Sequence, residues 1–238
     1  MNETCGTANL CLCLVYKQLQ CLAHMRLIFE NLSPDEVRER TARFRRRHVR
    51  DWKDWLPIST CLDAAPEPIE IRVAEKLGGI LWNWRACGRS QLLLEPHTLL
   101  ETLNRAHACL YVLGNSDLRS FLFPTPLLRE LIRSLWIIFR NGLCKKGKAG
   151  EVAITKAILL TTRGRIGPAF DSNVQRATGI IHIPDSENFV SVLSSLAKQL
   201  IAFEDQYRVR IEDLVPVDRG PVAIGRAIDM LLGPKEKD

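Results

Sequence analysis

The sequence predicts an all-α protein built as a single, mainly helical globular domain. Apolar residues recur at helical spacing in every section of the chain, and no convincing alternating strand pattern interrupts them. The chain also contains no Gly/Ser-rich linker and no internal repeat. With 238 residues, 46% hydrophobic and 25% charged, the composition supports a real core and excludes collagen, low-complexity disorder and a polytopic membrane protein.

Residues 1–24 are predicted to be a dispensable N-terminal extension. Their apolar run, Leu10 to Tyr16, is about half the length that a membrane-spanning helix needs. Glu3 stands where a signal peptide would carry basic residues, so neither a membrane nor a secretory destination is expected. The expected organisation is therefore an extension, 1–24, followed by an α-helical domain, 25–238, in the cytoplasm.

The first strong helix signal is the run Ser33 to Glu36. Ser33 can cap a helix, Pro34 suits its first turn, and Glu36 can reach back to the cap backbone. The helix that follows carries arginines at spacings of three and four, which gives it an almost continuously cationic face: Arg40, Arg43, Arg47 and Arg50.

Five further helices follow from apolar periodicity and from their end signals. The sequence predicts them over about 69–84, over 98–113, from Pro126 to Asn141-Gly142, from the Asp185 cap through Ile201, and from Pro221 to Gly233. The helix that begins at Pro126 is apolar on most sides, so it is predicted to be the centre of the core.

Basic residues are concentrated in two stretches. Arg38 to Lys53 and Arg140 to Arg176 each contain eight Lys or Arg against two acidic residues, so each carries +6, the net charge of the whole chain. Clustered cations favour a polyanionic partner such as a nucleic acid, because they release counterions from its phosphates. Solvated helix faces would produce the same charge pattern.

The eight cysteines are scattered and include no C-x-x-C pair. Reduced thiols are therefore expected. Cys11 and Cys13, with Cys5 and Cys21, lack the accompanying histidines or second close pair of a metal site, so no metal and no cofactor is predicted.

A glycine-containing turn, Lys145 to Gly150, precedes a short helix that carries Thr155-Lys156-Ala157. Backbone N–H groups of Gly147 to Gly150, where a helix begins, suit a phosphate. The alternative is an ordinary corner between helices with solvated lysines. Downstream, Asp171 stands where another helix should start, and it is a natural N-cap.

Residues 145–179 resemble the signature of helix-hairpin-helix DNA glycosylases. In that superfamily a Gly-rich hairpin leads to a helix with Lys-Thr/Ser-Ala, followed by V-D-x-H-V-x-R. Phe170 to Arg176 matches the last motif at Asp171, Val174 and Arg176, and Thr155 to Ala157 is similar to the lysine helix. The sequence differs from the family in the residues of its hairpin, in Asn173 at the usual His position, and in having no cysteine after Cys144.

The resemblance implies that Asp171 and Lys156 are the catalytic residues of a DNA N-glycosylase with AP-lyase activity. Asp171 would assist departure of the base, and Lys156 would form a Schiff base with the sugar if it is buried. Lysines usually lie solvated, which favours a charged, inert Lys156. The resemblance and the basic charge together imply the following nucleic-acid-binding residues: Lys145, Lys146, Gly147, Lys148, Gly150, Arg163, Arg165, Asn173 and Arg176.

Two other classes of function compete with this one. The chain could be a non-catalytic nucleic-acid scaffold, or a component of a defence or regulatory system, whose glycosylase-like core has lost its chemistry. It could also be a helical interaction protein in which Trp52 and Trp55, beside the arginines of Arg38 to Lys53, hold an acidic protein partner. The sequence does not identify the target base, the choice between DNA and RNA, or the oligomeric state.

Overall fold

The computed structural model describes residues 25–48, 55, 68–86, 95–216 and 222–233. Over these residues the chain forms nine α-helices, one short 3-10 helix at Leu118–Phe121, and no β-strand, which confirms the all-α class. The α-helices are α1 Pro34–Arg47, α2 Ile71–Asn83, α3 Pro96–Gly114, α4 Pro126–Gly142, α5 Glu151–Thr161, α6 Ser172–Thr178, α7 Ser186–Tyr207, α8 Ile211–Leu214 and α9 Ile224–Leu232. The predicted extension, residues 1–24, lies outside the described residues, as do Arg50, Trp52 and six of the eight cysteines.

Side-chain caps fix the starts of α1, α4 and α7, three of the helices that the sequence predicted. The Ser33 hydroxyl accepts a hydrogen bond from Glu36 N (3.3 Å), and the Glu36 carboxylate accepts one from Ser33 N (2.8 Å), which completes a capping box. Thr125 caps α4, and Asp185 accepts the N–H of Asn188 to cap α7. These bonds satisfy donors that the first turn of a helix leaves unpaired.

The buried centre of the fold is α5, and the prediction that α4 holds this place is wrong. Nine consecutive residues of α5, 153–161, are buried, whereas α4 buries one face only. Leu127 and Ile137 of α4 are 61% and 50% exposed. Helix α4 therefore buries only part of its apolar surface. Helix α5 is enclosed by α2, α4 and the segments around it.

The remaining helices surround this centre. Helices α3 and α4 pack side by side, α2 packs on α3, α7 packs on α4 and on the 3-10 helix, and α1 packs on α9 and α8. The buried apolar residues form one connected core cluster. Within the described part of the chain, no helix is long and apolar enough to cross a bilayer.

A close backbone contact joins α9 to the segment that follows α5. A Cβ atom on Gly225 would lie 2.6 Å from Gly167 N and 2.7 Å from Gly164 O. Arg226 N donates to Gly164 O (3.0 Å) at the same contact. Only glycine permits this approach, which brings the side chains of α9 to the loop before Asp171.

A group of ion pairs around Arg119 joins the 3-10 helix to α7 and α8. The Arg119 guanidinium donates to both oxygens of Glu204 (2.8 and 2.5 Å) and to both oxygens of Glu212 (3.0 and 2.7 Å). Since the Arg119 side chain is 15% exposed and that of Glu204 is 9% exposed, the cluster is mostly shielded from water.

Candidate active site

One cavity of about 500 Å3 brings Lys156 and Asp171 together. Its wall is contributed by α1, the end of α2, α5, the start of α6, and α9. The lining residues are Phe44, His48, Asn83, Trp84, Arg85, Lys156, Ala169, Asp171, Asn173, Arg226, Asp229 and Gly233. A volume of this size is within the range of small-molecule and nucleotide sites.

Lys156 is buried, so the expectation of a solvated lysine is wrong. It is 7% exposed, because α5 is enclosed on all sides, and its Nζ donates to Trp84 O (2.6 Å) at the end of α2. The amine is thus fixed between two helices at the cavity wall. The sequence signal for this burial is that α5 is apolar on all sides and has no polar face on which a lysine would reach solvent.

Asp171 is the N-cap of α6, as predicted. Its Oδ1 accepts the N–H groups of Asn173 (2.9 Å) and Val174 (3.1 Å). Both cap bonds end on the same oxygen, so Oδ2 has no hydrogen-bond donor among the described residues. Capping and a role in the cavity are therefore compatible.

Two hydrogen bonds position the loop that carries Asp171. Phe170 N donates to the Thr155 hydroxyl (3.0 Å), and Ala169 N donates to Asp229 Oδ1 (3.1 Å). Thr155 is the chain neighbour of Lys156, so the first bond ties the lysine helix directly to the residue before Asp171. The second bond ties the same loop to α9.

Helix α9 adds a buried ion pair, Arg226 with Asp229, to the cavity wall. Arg226 is 1% exposed, and its guanidinium carbon lies 5.1–5.2 Å from the ring centroids of Phe44, Trp55 and Trp84. Burial raises the pKa of the Asp229 carboxyl above its ordinary value; the charge of Arg226 opposes this rise, and the nearby Asp171 adds to it.

Four of the eight buried side-chain polar atoms that lack a hydrogen bond among the described residues belong to residues that line this cavity. Nε and Nη2 of Arg226, Nε1 of Trp84 and Oδ1 of Asn173 make no hydrogen bond within the described part of the chain. Such atoms are rare in native proteins and call for a physical explanation. The three rings around Arg226 compensate part of its charge through cation–π contact, and a polar ligand in the cavity would supply the missing hydrogen-bond partners.

The glycine-containing turn joins α4 to α5, but none of its residues lines the cavity. Gly147 has φ 75°, Ala149 N donates to Arg140 O (2.8 Å), and Gly150 is the N-cap of α5. The three lysines of the turn, Lys145, Lys146 and Lys148, are exposed. The hairpin and the cavity are thus different surfaces, connected by the first turns of α5.

The other predicted nucleic-acid residues are divided between several places. Asn173 lines the cavity, and Arg176 is exposed on α6. Arg163 donates to Gly114 O at the end of α3, so its guanidinium serves the fold. Arg165 is half-buried near the 3-10 helix, where its carbonyl accepts the N–H of Leu118 (3.0 Å).

Trp55 does not provide the exposed docking surface proposed for an acidic partner. It is 4% exposed and packs on Arg226. The structure instead reveals cavity residues that the sequence reasoning missed, above all Arg226 and Asp229. The available signal was two opposite charges three residues apart in an otherwise apolar helix, a pattern typical of buried ion pairs.

No group of three or more metal-ligating side chains occurs among the described residues. Cys109 is buried and Cys144 is half-buried. Comparison of the chain with models of protein families, with curated proteins and with solved structures finds no match. The function must therefore be inferred from the cavity.

Proposed function

We propose that this protein is a DNA-binding, helix-hairpin-helix glycosylase-like protein that cleaves the N-glycosidic bond of a nucleotide flipped into the cavity. One observation carries the proposal: a buried amine, Lys156, and a carboxylate with one uncommitted oxygen, Asp171, line the same cavity. The glycine hairpin at the start of α5 and its exposed lysines supply a surface for the DNA backbone.

The proposed chemistry assigns one role to each of these two residues. As the bond between the sugar and the base breaks, the base leaves with the electron pair and positive charge develops on the sugar, which the Asp171 carboxylate stabilises. The Lys156 amine attacks the anomeric carbon and loses a proton to water. The bond between this carbon and the ring oxygen then breaks, the ring oxygen keeps the electron pair and takes up a proton, and a Schiff base with the opened sugar results. Because the neutral amine is the nucleophile, this role requires the burial that Lys156 has.

The polar and aromatic wall fits a flipped nucleotide. Phe44 and His48 line the cavity and stack on each other with ring centroids 4.6 Å apart, while Trp84 contributes a third ring. An enzyme that acts on a base must take it out of the helical stack and hold it by stacking and by hydrogen bonds to its edge.

Borohydride trapping on DNA with an abasic site tests the nucleophile. Wild type should form a covalent adduct, and Lys156→Ala and Lys156→Met should not. Methionine fills the space of the lysine stem and guards against a simple folding defect. Lys198→Ala, which removes an exposed lysine on α7, is the matched control and should still be trapped. Absence of an adduct with wild type removes the nucleophile claim.

Base release from DNA substrates tests Asp171. Asp171→Asn keeps the capping bonds, because asparagine is an equally good N-cap, and removes only the charge. We expect base release to fall by about a hundredfold or more, which is the usual effect of losing a charge that stabilises a transition state. Unchanged release would exclude Asp171 from the chemistry.

A non-catalytic nucleic-acid-binding protein is the second candidate. It is favoured by the structural hydrogen bonds of both residues, since Lys156 Nζ donates to Trp84 O and Asp171 caps α6. In this case DNA binding survives Asp171→Asn, weakens steeply with salt, and is never followed by base release.

A further inference from the structure

The C-terminal turn of α1 and the residue that ends the turn after α2 meet at the same cavity. Phe44 and His48 of the first segment and Arg85 of the second are lining residues. Arg47 lies in the same turn of α1, between these two lining positions in sequence. The hairpin, by contrast, contributes no residue to the cavity.

Helix geometry separates the two exposed arginines of this turn. At about 100° per residue, Arg47 projects about 80° from the direction midway between Phe44 and His48, whereas Arg46 projects about 180° from it. Both side chains are exposed. Arg47 is therefore within reach of the mouth of the cavity, and Arg46 points away from it.

Arg85 occupies a backbone position that usually belongs to glycine. Its φ is 50°, its N–H donates to Trp82 O (3.1 Å), and Ala86 N donates to Leu81 O (2.9 Å), which is the Schellman arrangement at a helix C-terminus. A side chain in this left-handed conformation is strained. The chain thus keeps an arginine at the cavity mouth where glycine would be more stable.

Within the described ranges, neither Arg47 nor Arg85 forms an ion pair or a side-chain hydrogen bond. Arg47 differs in this from Arg38 and Arg43 of the same helix, which pair with Asp35 and Glu39. Exposed cations next to a cavity, with no partner among the described residues, complement a ligand whose negative charge stays outside the cavity.

We infer that Arg47, His48 and Arg85 form a phosphate-binding rim, which grips the DNA backbone on both sides of the nucleotide held in the cavity. A flipped nucleotide leaves its flanking phosphates at the mouth, where backbone contacts fix the strand without reading its sequence. The inference rests on the proposed function in taking DNA as the ligand. It does not require catalysis.

Two matched pairs of variants test the rim. Arg85→Gly removes the side chain and relieves the backbone strain, and Arg208→Gly does the same at φ 53° at the end of α7, away from the cavity. Arg47→Gln is paired with Arg46→Gln in the same helical turn. The double variant R47Q/R85G and the control R46Q/R208G each lose two positive charges, and thermal melting should show that both are at least as stable as wild type.

The measurement is fluorescence anisotropy with a short labelled duplex that contains one tetrahydrofuran abasic analogue, over a series of salt concentrations. Loss of two phosphate contacts should lower the salt slope by about 1.8 and weaken binding by about 10- to 60-fold at 0.1 M salt. The double variant R47Q/R85G should show this loss. The control R46Q/R208G should bind within about twofold of wild type.

Several results would overturn the rim. These are equal losses in the two double variants, an unchanged salt slope in R47Q/R85G, or no binding of wild type to the duplex. Tighter binding of labelled polyglutamate than of DNA, with the same dependence on Arg47 and Arg85, would assign the surface to an acidic protein instead. If binding depends on Arg47 and Arg85 but no base is released, the proposed enzyme activity is refuted and the phosphate-binding rim stands. If R47Q/R85G releases base as well as wild type does, the rim is refuted and the enzyme activity stands.

Discussion

Substitution of Arg226 by methionine tests the energetics of the cavity wall. Methionine retains most of the volume of the arginine stem, but it removes the guanidinium that faces the three rings and pairs with Asp229. A buried carboxylate then has no compensating charge. Breaking a buried ion pair from one side typically costs about 3–5 kcal/mol, so we expect a loss of this size in the free energy of unfolding at pH 7.

The loss should depend on pH in a defined direction. Burial already raises the pKa of Asp229 above its ordinary value of 3.8, and Arg226 opposes the rise, so Arg226→Met should raise that pKa further. The folded variant then binds a proton that the unfolded chain does not bind, and its stability falls as pH rises through this interval. As the pH is lowered through this interval, the deficit relative to wild type should shrink.

Urea unfolding followed by circular dichroism, from pH 7 to pH 5, measures both effects. The double variant R226M/D229N removes the uncompensated charge while the asparagine oxygen can still accept the N–H of Ala169. It should be more stable than R226M at pH 7 and should lack the steep pH dependence. If R226M is as stable as wild type at pH 7, or if its pH profile runs parallel to that of wild type, the description of this pair is wrong.

Three further predictions concern stability. Gly225→Ala should lower the free energy of unfolding by about 3 kcal/mol or more, because its Cβ would clash with backbone atoms. Gly79→Ala, whose Cβ would have no atom within 4 Å, should raise it by about 0.5–1 kcal/mol in a helix interior. Thermal melts compare the two variants. Arg119→Gln should cost about 3 kcal/mol by leaving shielded carboxylates unpaired, while Arg133→Gln, which breaks exposed pairs, should cost less than about 1 kcal/mol in urea unfolding. Deletion of residues 1–24 should leave the melting temperature unchanged.

Each of these predictions has a clear contrary outcome. Equal melting temperatures for the two alanine variants would mean that α9 does not depend on its close backbone contact. A larger loss at Arg133 than at Arg119 would reverse the expected order of shielded and exposed ion pairs. A large drop in melting temperature on deletion would show that the N-terminal segment is part of the fold.

Helix positions were predictable because their signals are local. Ser33 and Asp185 satisfy N–H groups two or three residues away, so the residues that start a helix also identify it in the sequence. Asp171 is a further case, since both of its capping bonds lie within three residues. The last helix begins at Ile224, three residues after the predicted start at Pro221, which lies outside the described residues.

Burial was predicted less well, because it depends on neighbours that are distant in the chain. The apolar residues of α4 suggested the centre of the core, yet α5, with a lysine in it, is the enclosed helix. Nothing near Lys156 in sequence indicates that Trp84, 72 residues earlier, accepts its hydrogen bond.

The sequence by itself determined an all-helical chain, the ends of most helices, and two residues, Lys156 and Asp171, whose chemistry suits one site. Only the tertiary structure decided that these two meet in a cavity and that Arg226 and Asp229 complete its wall. Capping and amphipathic periodicity depend on residues that are close together in the chain, so both can be recognised in the sequence. A cavity forms where segments as far apart as residues 44 and 229 pack imperfectly against each other, and that geometry exists only after the whole chain has folded.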